Sequence, residues 1–183
     1  MASNDVNLGL GNSTGMFYHA AAGTALPTSP GEALAQGWSE IGDISEDGVT
    51  WTPFGSIDVI RNWALDAVRK FASEKGKVSA AIIETTEESL KAAFGASAVT
   101  VSAATSTHGK LVSVDANVGK LGGPEAWLFI GKDGDDMFML GTTSGLVTEI
   151  ADVAFAPNGS INWEVTIDGD WTFMKDNGQV TGH

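Results

Sequence analysis

The C-terminal half of the chain alternates between short apolar runs and turn residues, which predicts antiparallel strands joined by tight turns. Residues 125–141, EAWLFIGKDGDDMFMLG, place two apolar runs around Asp133-Gly134, a dipeptide typical of β-hairpins. Side chains facing both sides of these strands are apolar, so we expect both faces of the sheet to be covered there. A second hairpin is predicted at 157–159 and a third turn at Asp168-Gly169.

The segment 160–168, SINWEVTID, alternates strictly between apolar and polar residues. This period of two predicts a half-buried strand with one polar, partly acidic face.

The clearest predicted helix runs from about residue 86 to residue 94. Thr85 is a candidate N-cap and Glu88 a candidate N3 residue, which together would form a capping box. Gly95 follows where a left-handed residue commonly ends a helix. The apolar side chains fall on one face, so we expect the helix to pack against the sheet.

Two interpretations compete for residues 56–76, SIDVIRNWALDAVRKFASEKG. Apolar residues recur at i, i+3 and i+4, which by itself predicts an amphipathic helix. The family resemblance described below implies strands or a hairpin instead, and we adopt that interpretation because tertiary context overrides local propensity.

The N-terminal 37 residues are small, glycine-rich and without clear periodicity. Met16, Phe17 and Leu26 are nevertheless too apolar for a purely solvated tail. We therefore expect residues 1–37 to form an extended arm that packs on a partner rather than in the core of its own domain.

The composition favours a single domain that is not a nucleic-acid-binding protein in the ordinary sense. The 183 residues carry 23 acidic and 10 basic side chains, a net charge of −13 that repels nucleic acid at long range. The chain has no Cys, which excludes disulfides and thiolate sites. No apolar run approaches the ~20 residues that span a bilayer, so no membrane partner is expected.

No motif in the chain predicts catalysis, a metal site or a bound cofactor. The G-x-S-x-G match at 11–15 lacks the strand–turn–helix context of a nucleophile elbow. His19, His108 and His183 have no metal-ligand spacing. The acidic residues at 133–136 are typical of a hairpin tip. The sequence therefore predicts a protein that is not an enzyme and has no cofactor.

The six Trp residues leave a second function open. Exposed on strands, they would form a sugar-binding platform, so a carbohydrate-binding β-sandwich module is an alternative interpretation. Burial in the core or in a subunit interface is the interpretation that we prefer.

Four features in fixed order resemble the major tail proteins, or tail tube proteins, of long-tailed bacteriophages, especially siphophages of actinobacterial hosts. They cover roughly residues 20–95, and the remainder fits as a compatible β pattern. The features are a Gly-Thr-x-Leu-Pro arm (Gly23, Thr24, Leu26, Pro27), a G-x-I-S-E-D-G-V box (Gly42–Val49), a Trp and Val-Arg element (Trp63, Val68, Arg69), and an E-T-x-x-x-x-L-x-x-x-F-G helix (Glu84–Gly95).

The sequence departs from the family pattern after Trp63. The family usually has Gly residues there, whereas this chain has Ala64-Leu65-Asp66-Ala67. This difference is what keeps a local helix open as an alternative.

The resemblance implies a mainly β fold of the tail-tube type, a β-sandwich or barrel with one flanking helix. It implies an arm at 1–37, a single domain at 38–183 and a long hairpin or loop over about 48–84. It further implies a structural virion protein whose hexameric rings stack into the hollow tube that delivers viral DNA.

The same resemblance implies partners and a location. The chain would bind copies of itself, a tape-measure protein and the tail terminator and tip proteins, and viral DNA would pass without specific binding. It would be assembled in the host cytoplasm and reside in the virion. A type VI secretion-like tube protein is the alternative within this class.

Two groups of residues are candidates for these roles. Apolar residues of the arm and the hairpin are candidate inter-subunit contacts: Met16, Phe17, Leu26, Trp51, Phe54, Ile57, Trp63, Val68 and Phe71. Acidic residues on polar strand faces are candidates to line the lumen and repel phosphates: Glu164, Asp168 and Asp170.

Overall fold

Antiparallel strands make up most of the chain. The computed structural model describes residues 17–54, 57–61, 67–71, 75–133, 136–155, 159 and 161–177. In chain order the elements are β1 (Phe17–Ala21), β2 (Ser39–Glu40), β3 (Ile44–Thr52), β4 (Ile57–Arg61), β5 (Ala67–Phe71), β6 (Gly76–Ile82), α1 (Glu87–Phe94), β7 (Val99–Ser102), β8 (Leu111–Val114), β9 (Glu125–Asp133), β10 (Asp136–Ile150), β11 (Trp163–Gly169) and β12 (Thr172–Asp176), with a 3₁₀ turn at Val118–Lys120.

Eight strands form one curled sheet that resembles half a barrel. Its order is β2-β1-β9-β10-β11-β6-β3, and β12 also pairs with β10. All of these pairs are antiparallel. β4 pairs with β5, and β7 with β8, as two separate two-stranded sheets. The predicted mainly β fold is confirmed.

Both predicted hairpins in the C-terminal half are present as antiparallel pairs. β9 pairs with β10 from Asp133 opposite Asp136, and the turn residues 134–135 lie outside the described residues. β10 pairs in turn with β11, and most of the predicted turn at 157–159 also lies outside them.

The predicted turn at Asp168-Gly169 is a break between two strands that run in the same direction. β11 and β12 follow one another along β10, with Asp168 opposite Leu146 and Thr172 opposite Gly141. A side chain on Gly169 would come within 3.2 Å of the Gly145 Cα atom. A larger residue would therefore be crowded against β10. The chain does not reverse here, because β11 and β12 both pair antiparallel with β10.

The core lies between one face of the sheet and α1. Its buried side chains come from β1, β6, α1, β9 and β11: they include Phe17, Ile82, Leu90, Phe94, Trp127, Val165 and Ile167. The rings of Phe94 and Trp163 meet edge to face at 5.5 Å. Removal of this apolar surface from water is the main force that holds the helix on the sheet.

The opposite face of β9 and β10 is covered by the segment that follows β1. Leu26 packs against Gly141, where an added Cβ would come within 2.7 Å of the leucine side chain. Backbone pairing supports the contact, because Gly23 N donates to Thr143 O at 2.8 Å. The expectation that both faces of these strands are covered is therefore confirmed.

The helix begins one residue later than the sequence suggested. Its N-cap is Thr86, whose Oγ1 accepts from Ser89 N at 3.1 Å, while Ser89 Oγ accepts from Thr86 N at 2.8 Å. The predicted pair of Thr85 and Glu88 is wrong, because Thr85 Oγ1 instead accepts a hydrogen bond from the Trp163 indole at 3.0 Å. Gly95 ends the helix as expected, but at φ 89° and ψ 148°, which is not the left-handed helical conformation that the sequence suggested.

Residues 57–61 and 67–71 form strands, so the helix predicted by periodicity is wrong and the hairpin interpretation is confirmed. β3 and β6 pair as far as Thr52 opposite Lys77, and β4 and β5 continue with Ile57 opposite Phe71. Because β3 and β6 are paired, the segment that follows β3 and the segment that precedes β6 start side by side, which favours a strand pair over a helix. Residues 55–56, 62–66 and 72–74 lie outside the described residues.

The N-terminal region is more closely integrated with the domain than the sequence suggested. β1 pairs with β9 along its whole length, and the Phe17 side chain is fully buried in the core. Buried and half-buried positions do not alternate regularly in this short strand, so the sequence shows no clear period. Residues 1–16 lie outside the described residues.

Candidate assembly surfaces

One face of β3, β6 and β11 is polar and open. It is the continuation of the sheet face that Leu26 covers over β9 and β10. Hydroxyl groups line it in register: Ser79 Oγ lies 3.1 Å from Thr166 Oγ1, and Thr50 is paired opposite Ser79. We call this surface the polar face. It is built from strands and is lined by polar side chains.

Two of the three candidate lumen residues lie on the polar face. Glu164 is exposed, and Asp168 is held in place by a hydrogen bond from Thr148 Oγ1 at 3.0 Å and an ion pair with Lys77 at 3.7 Å. Asp170 is exposed in the break after β11. The structure thus brings Glu164 and Asp168 together on one surface.

The β3 edge of the sheet carries an irregular acidic segment. Between Ile44 and Val49, β3 advances five positions while its partner β6 advances two. Four residues of β3, 45–48, face a single residue of β6, and Gly48 adopts φ 70°, a conformation that favours glycine. Among the described residues β3 pairs with β6 alone, so its other edge is unpaired. A bulged, charged edge disfavours indiscriminate strand pairing.

A half-exposed aromatic pair lies on the core side of the sheet, beyond the helix. Trp51 stacks on Phe173 with ring centroids 6.1 Å apart, and Phe173 is 50% exposed. The Trp51 indole nitrogen is buried and has no hydrogen-bond partner among the residues that the structure describes. This pair combines exposed apolar surface with an unsatisfied donor.

The remaining contact candidates fall into three groups. Phe54 is 59% exposed, directly after β3. Ile57, Val68 and Phe71 belong to the paired strands β4 and β5, where only the backbone is described. Met16 and Trp63 lie outside the described residues.

Phe17 and Leu26 are engaged inside their own subunit. Phe17 has no exposed surface and packs on Trp127 with ring centroids 5.7 Å apart. Leu26 is half-buried against Gly141. We leave Phe17 out of the proposed contact surface for this reason.

A chain of polar and charged side chains ties α1 to its surroundings, and sequence reasoning did not find it. His19 Nδ1 lies 2.8 Å from Glu125 Oε2, and its Nε2 lies 3.7 Å from Glu88 Oε2. Lys91 bridges Glu88 and Glu87. Its members come from β1, β9 and α1, so no local sequence pattern marks it.

Lys110 extends this chain to the loop that precedes β8. Its Nζ donates to Glu87 Oε2 at 2.6 Å. The hydrogen bonds from Lys110 and then from Lys91 lower the pKa of Glu87 from 4.5 to about 2. The only local hint in the sequence is the i, i+4 spacing of Glu87 and Lys91.

The described residues contain no cluster of His, Cys, Asp or Glu that could hold a metal ion. Ser13 lies outside them. In the part of the chain that the structure describes, no helix is long and apolar enough to cross a membrane. A groove of about 730 Å³ runs between residues 28–30 and 174–177, but it is open and lined by mixed surface groups.

The described Trp side chains do not form an exposed platform. Trp127 is 1% exposed, and its indole donates to Gly145 O at 3.1 Å. Trp38, Trp51, Trp163 and Trp171 are each half-buried. These positions serve the core and its margins.

A family model described as phage tail tube protein matches residues 1–178. The chain therefore belongs to the phage tail tube protein family, as the order of its motifs indicated. A search of curated proteins finds no match.

Two solved structures are similar in outline. One is the tube-terminating cap of the anti-feeding prophage, at TM-score 0.43 and 9% identity, covering 96% of this chain and 100% of that one. The other is the sheath–tube complex of an extracellular contractile injection system, PVC, in its extended state, at TM-score 0.34 and 9% identity, covering 96% and 98%. Family membership rests on the family model alone.

Proposed function

We propose that this chain is the major tail tube subunit of a long-tailed phage, and that it assembles into hexameric rings that stack into a hollow tube for DNA delivery. The observation that carries the proposal is the tail tube family match over residues 1–178. The protein is in this proposal a structural one, without catalysis, located in the virion tail.

The open sheet supports an assembly of this kind. The main sheet is curled but not closed, and β3 has an unpaired edge among the described residues. Closure of sheets across subunits in a ring removes such edges, which a single subunit leaves exposed. Rings that stack head to tail are heterologous and continue to grow until another protein caps them.

The polar face suits the wall of a conduit. It carries hydroxyl groups and carboxylates, including Glu164 and Asp168, and the ammonium group of its Lys77 lies 3.7 Å from the Asp168 carboxylate. Phosphates that meet such a wall are repelled and slide past. We therefore place Glu164 and Asp168 at the lumen, and we keep Asp170, in the break after β11, as a further lumen candidate.

The contacts between rings are assigned to two segments in this proposal. The long hairpin built from β3 to β6 contacts one neighbouring ring, and residues 1–16 contact the other neighbouring ring. Tape-measure, terminator and tip proteins would set the length and the ends of the tube, and assembly in the host cytoplasm follows from this role.

Electron microscopy tests the proposal directly. The purified chain is examined by negative stain over a concentration series, and we expect rings at low concentration and hollow tubes at high concentration. Analytical ultracentrifugation of the same samples gives the ring mass, for which a hexamer is expected. A chain that stays monomeric throughout, also when purified tail tip complexes are added as initiators, would contradict the proposal.

A further inference from the structure

Lys77 is the one basic residue in the four neighbouring strands β3, β6, β10 and β11. Its side chain is 53% exposed and lies on the polar face, where it faces Asp168. An ammonium group binds DNA phosphates whatever the base sequence. A lysine without an acidic neighbour at this position would therefore retain DNA that passes the wall.

The strand register gives Lys77 one acidic neighbour on the polar face. Lys77 lies opposite Thr52 on β3 and opposite Asp168 on β11. Asp168 in turn lies opposite Leu146 on β10. In this cross-strand row of four residues, Asp168 carries the one negative charge that can offset the charge of the lysine.

An irregularity in β10 fixes the Asp168 carboxylate beside the lysine. The register between β10 and β11 shifts between Val147 and Glu149, so Thr148 is an additional residue in the ladder. Thr148 Oγ1 donates to Asp168 Oδ1 at 3.0 Å, and the same oxygen lies 3.7 Å from Lys77 Nζ. The carboxylate is thus held by a neutral hydroxyl group, and its charge acts on Lys77.

This ion pair contributes little to the stability of the fold. Pairs between exposed side chains contribute about 0–1 kcal/mol, and 3.7 Å is longer than a charge-assisted hydrogen bond. The main effect of the pair is on the charge that the polar face presents. With a carboxylate so close, the field of the ammonium group is largely cancelled at the distance from which a phosphate approaches.

We propose that Asp168 keeps Lys77 from binding the phosphates of duplex DNA, so that loss of the Asp168 carboxylate turns a surface that repels DNA into one that retains it. The inference rests on the proposed function, because it concerns the surface that we place at the lumen. Asp168 acts through Lys77 and is therefore a positioning residue.

The test compares two single variants of the full chain, Asp168→Asn and Glu164→Gln. Each removes one carboxylate from the polar face and changes the formal net charge from −13 to −12. The asparagine keeps an oxygen that accepts from Thr148. Glu164 lies opposite Ala81, four residues along β6 from Lys77, a distance of about 13 Å. The first variant alone removes the partner of the lysine.

Binding of a fluorescently labelled duplex of about 20 base pairs is measured by anisotropy at about 20 mM and about 200 mM salt. We expect Asp168→Asn to bind about tenfold more tightly than Glu164→Gln at low salt, since one additional lysine–phosphate contact releases a counterion. The higher salt concentration should remove most of this difference. Equal binding at low salt, including no detectable binding by either variant, would overturn the proposal, as would a difference that salt does not reduce.

The double variant Lys77→Met/Asp168→Asn shows whether the lysine causes the effect. It loses one positive and one negative charge, so its formal net charge stays at −13. We expect it to bind the duplex as weakly as the unmodified chain does. If the double variant binds as tightly as Asp168→Asn, the proposed role of Lys77 is wrong.

Thermal unfolding provides the folding control, and we expect equal midpoints for the unmodified chain and its variants. Should Asp168→Asn fail to fold, Thr148→Val releases the carboxylate without a change of charge and should increase binding to the duplex. Unchanged binding in that variant would count against the proposal.

Micrographs of the same samples separate this inference from the proposed function. Normal tubes without a difference in DNA binding between the variants would contradict the role of Asp168 and leave the proposed function. A difference that depends on Asp168, in a chain that forms neither rings nor tubes, would support the masking of Lys77 and contradict the proposed function.

Discussion

Single residues in this protein are fixed by partners that lie far away in sequence. His19 illustrates this, because its ring bonds Glu125 at 2.8 Å and stands 3.7 Å from Glu88. Glu87 is a second case, since one of its two lysine partners comes from a loop that precedes β8. The pKa of Glu87 reports whether its distant contact is present in solution.

At pH 7 the ion pair of Lys110 with Glu87 stabilises the folded state, and its effect should disappear in acid. The folded pKa of Glu87 is about 2, below its usual 4.5, so the carboxylate contributes stability above about pH 4.5 that is lost as the pH falls through 2. We expect Lys110→Met to raise the Glu87 pKa part of the way, because Lys91 remains. Carboxyl NMR titration measures it.

The control for this titration is Lys120→Met, which removes an exposed lysine paired with Asp115 at 2.7 Å and should leave Glu87 unchanged. A Glu87 pKa that stays near 2 in Lys110→Met would show that the contact is absent in solution.

At the scale of elements, the fold depends on how each segment begins and ends. The helix is set by the reciprocal bonds of Thr86 and Ser89, which satisfy backbone donors at its N-terminus. The hairpin β4–β5 is set by the strands that precede and follow it. The sequence predicted correctly the hairpin of β9 and β10 and the end of α1, which depend on nearby turn and cap residues. Apolar periodicity failed for β4 and β5, whose conformation depends on the strands before and after them.

Loss of the N-cap should weaken the whole domain, because α1 covers the core. We expect Thr86→Ala to lower the free energy of unfolding by about 1 kcal/mol. Thr86→Ser should lower it much less, because the serine hydroxyl can still accept a hydrogen bond from Ser89 N. Urea denaturation of the three proteins checks this. Equal losses in both variants would mean that the hydroxyl group of Thr86 does not cap the helix.

At the scale of the whole molecule, the first described strand belongs to the subunit's own sheet. β1 completes the main sheet, and Phe17 is buried against Trp127. Residues 1–16 are the part that we propose to contact another ring. The sequence predicts a single arm over residues 1–37, whereas part of that region, β1, belongs to the main sheet.

Two truncations separate the roles. Deletion of residues 2–15 should leave the thermal midpoint nearly unchanged and reduce or abolish tubes in micrographs. Deletion of residues 2–30 should unfold the subunit, because loss of a buried Phe alone costs about 3–5 kcal/mol in a fold whose total stability is typically about 5–15 kcal/mol. A folded protein after the longer deletion would contradict the role of β1, and normal tubes after the shorter one would contradict the proposed contact.

The sequence by itself determined the elements whose signal is local and the family to which the chain belongs. Turn dipeptides marked the hairpin of β9 and β10, apolar residues on both sides of these strands predicted two covered faces, and the end of α1 followed from Gly95. Four motifs in order identified a tail tube protein, since such order is specific even when each motif is weak. These features depend on residues within one turn, one strand or one motif.

Only the tertiary structure decided the features that depend on pairing over long distances. Residues 57–71 have the apolar spacing of a helix, yet β3 and β6 bring their ends together and a strand pair forms. Gly169 looks like a turn residue, yet it permits a close approach to β10. β1 became part of the core because β9, more than 100 residues away, offered it a paired edge and a buried apolar surface. Hydrogen bonds and burial between distant segments outweigh local propensities of a few tenths of a kcal/mol per residue.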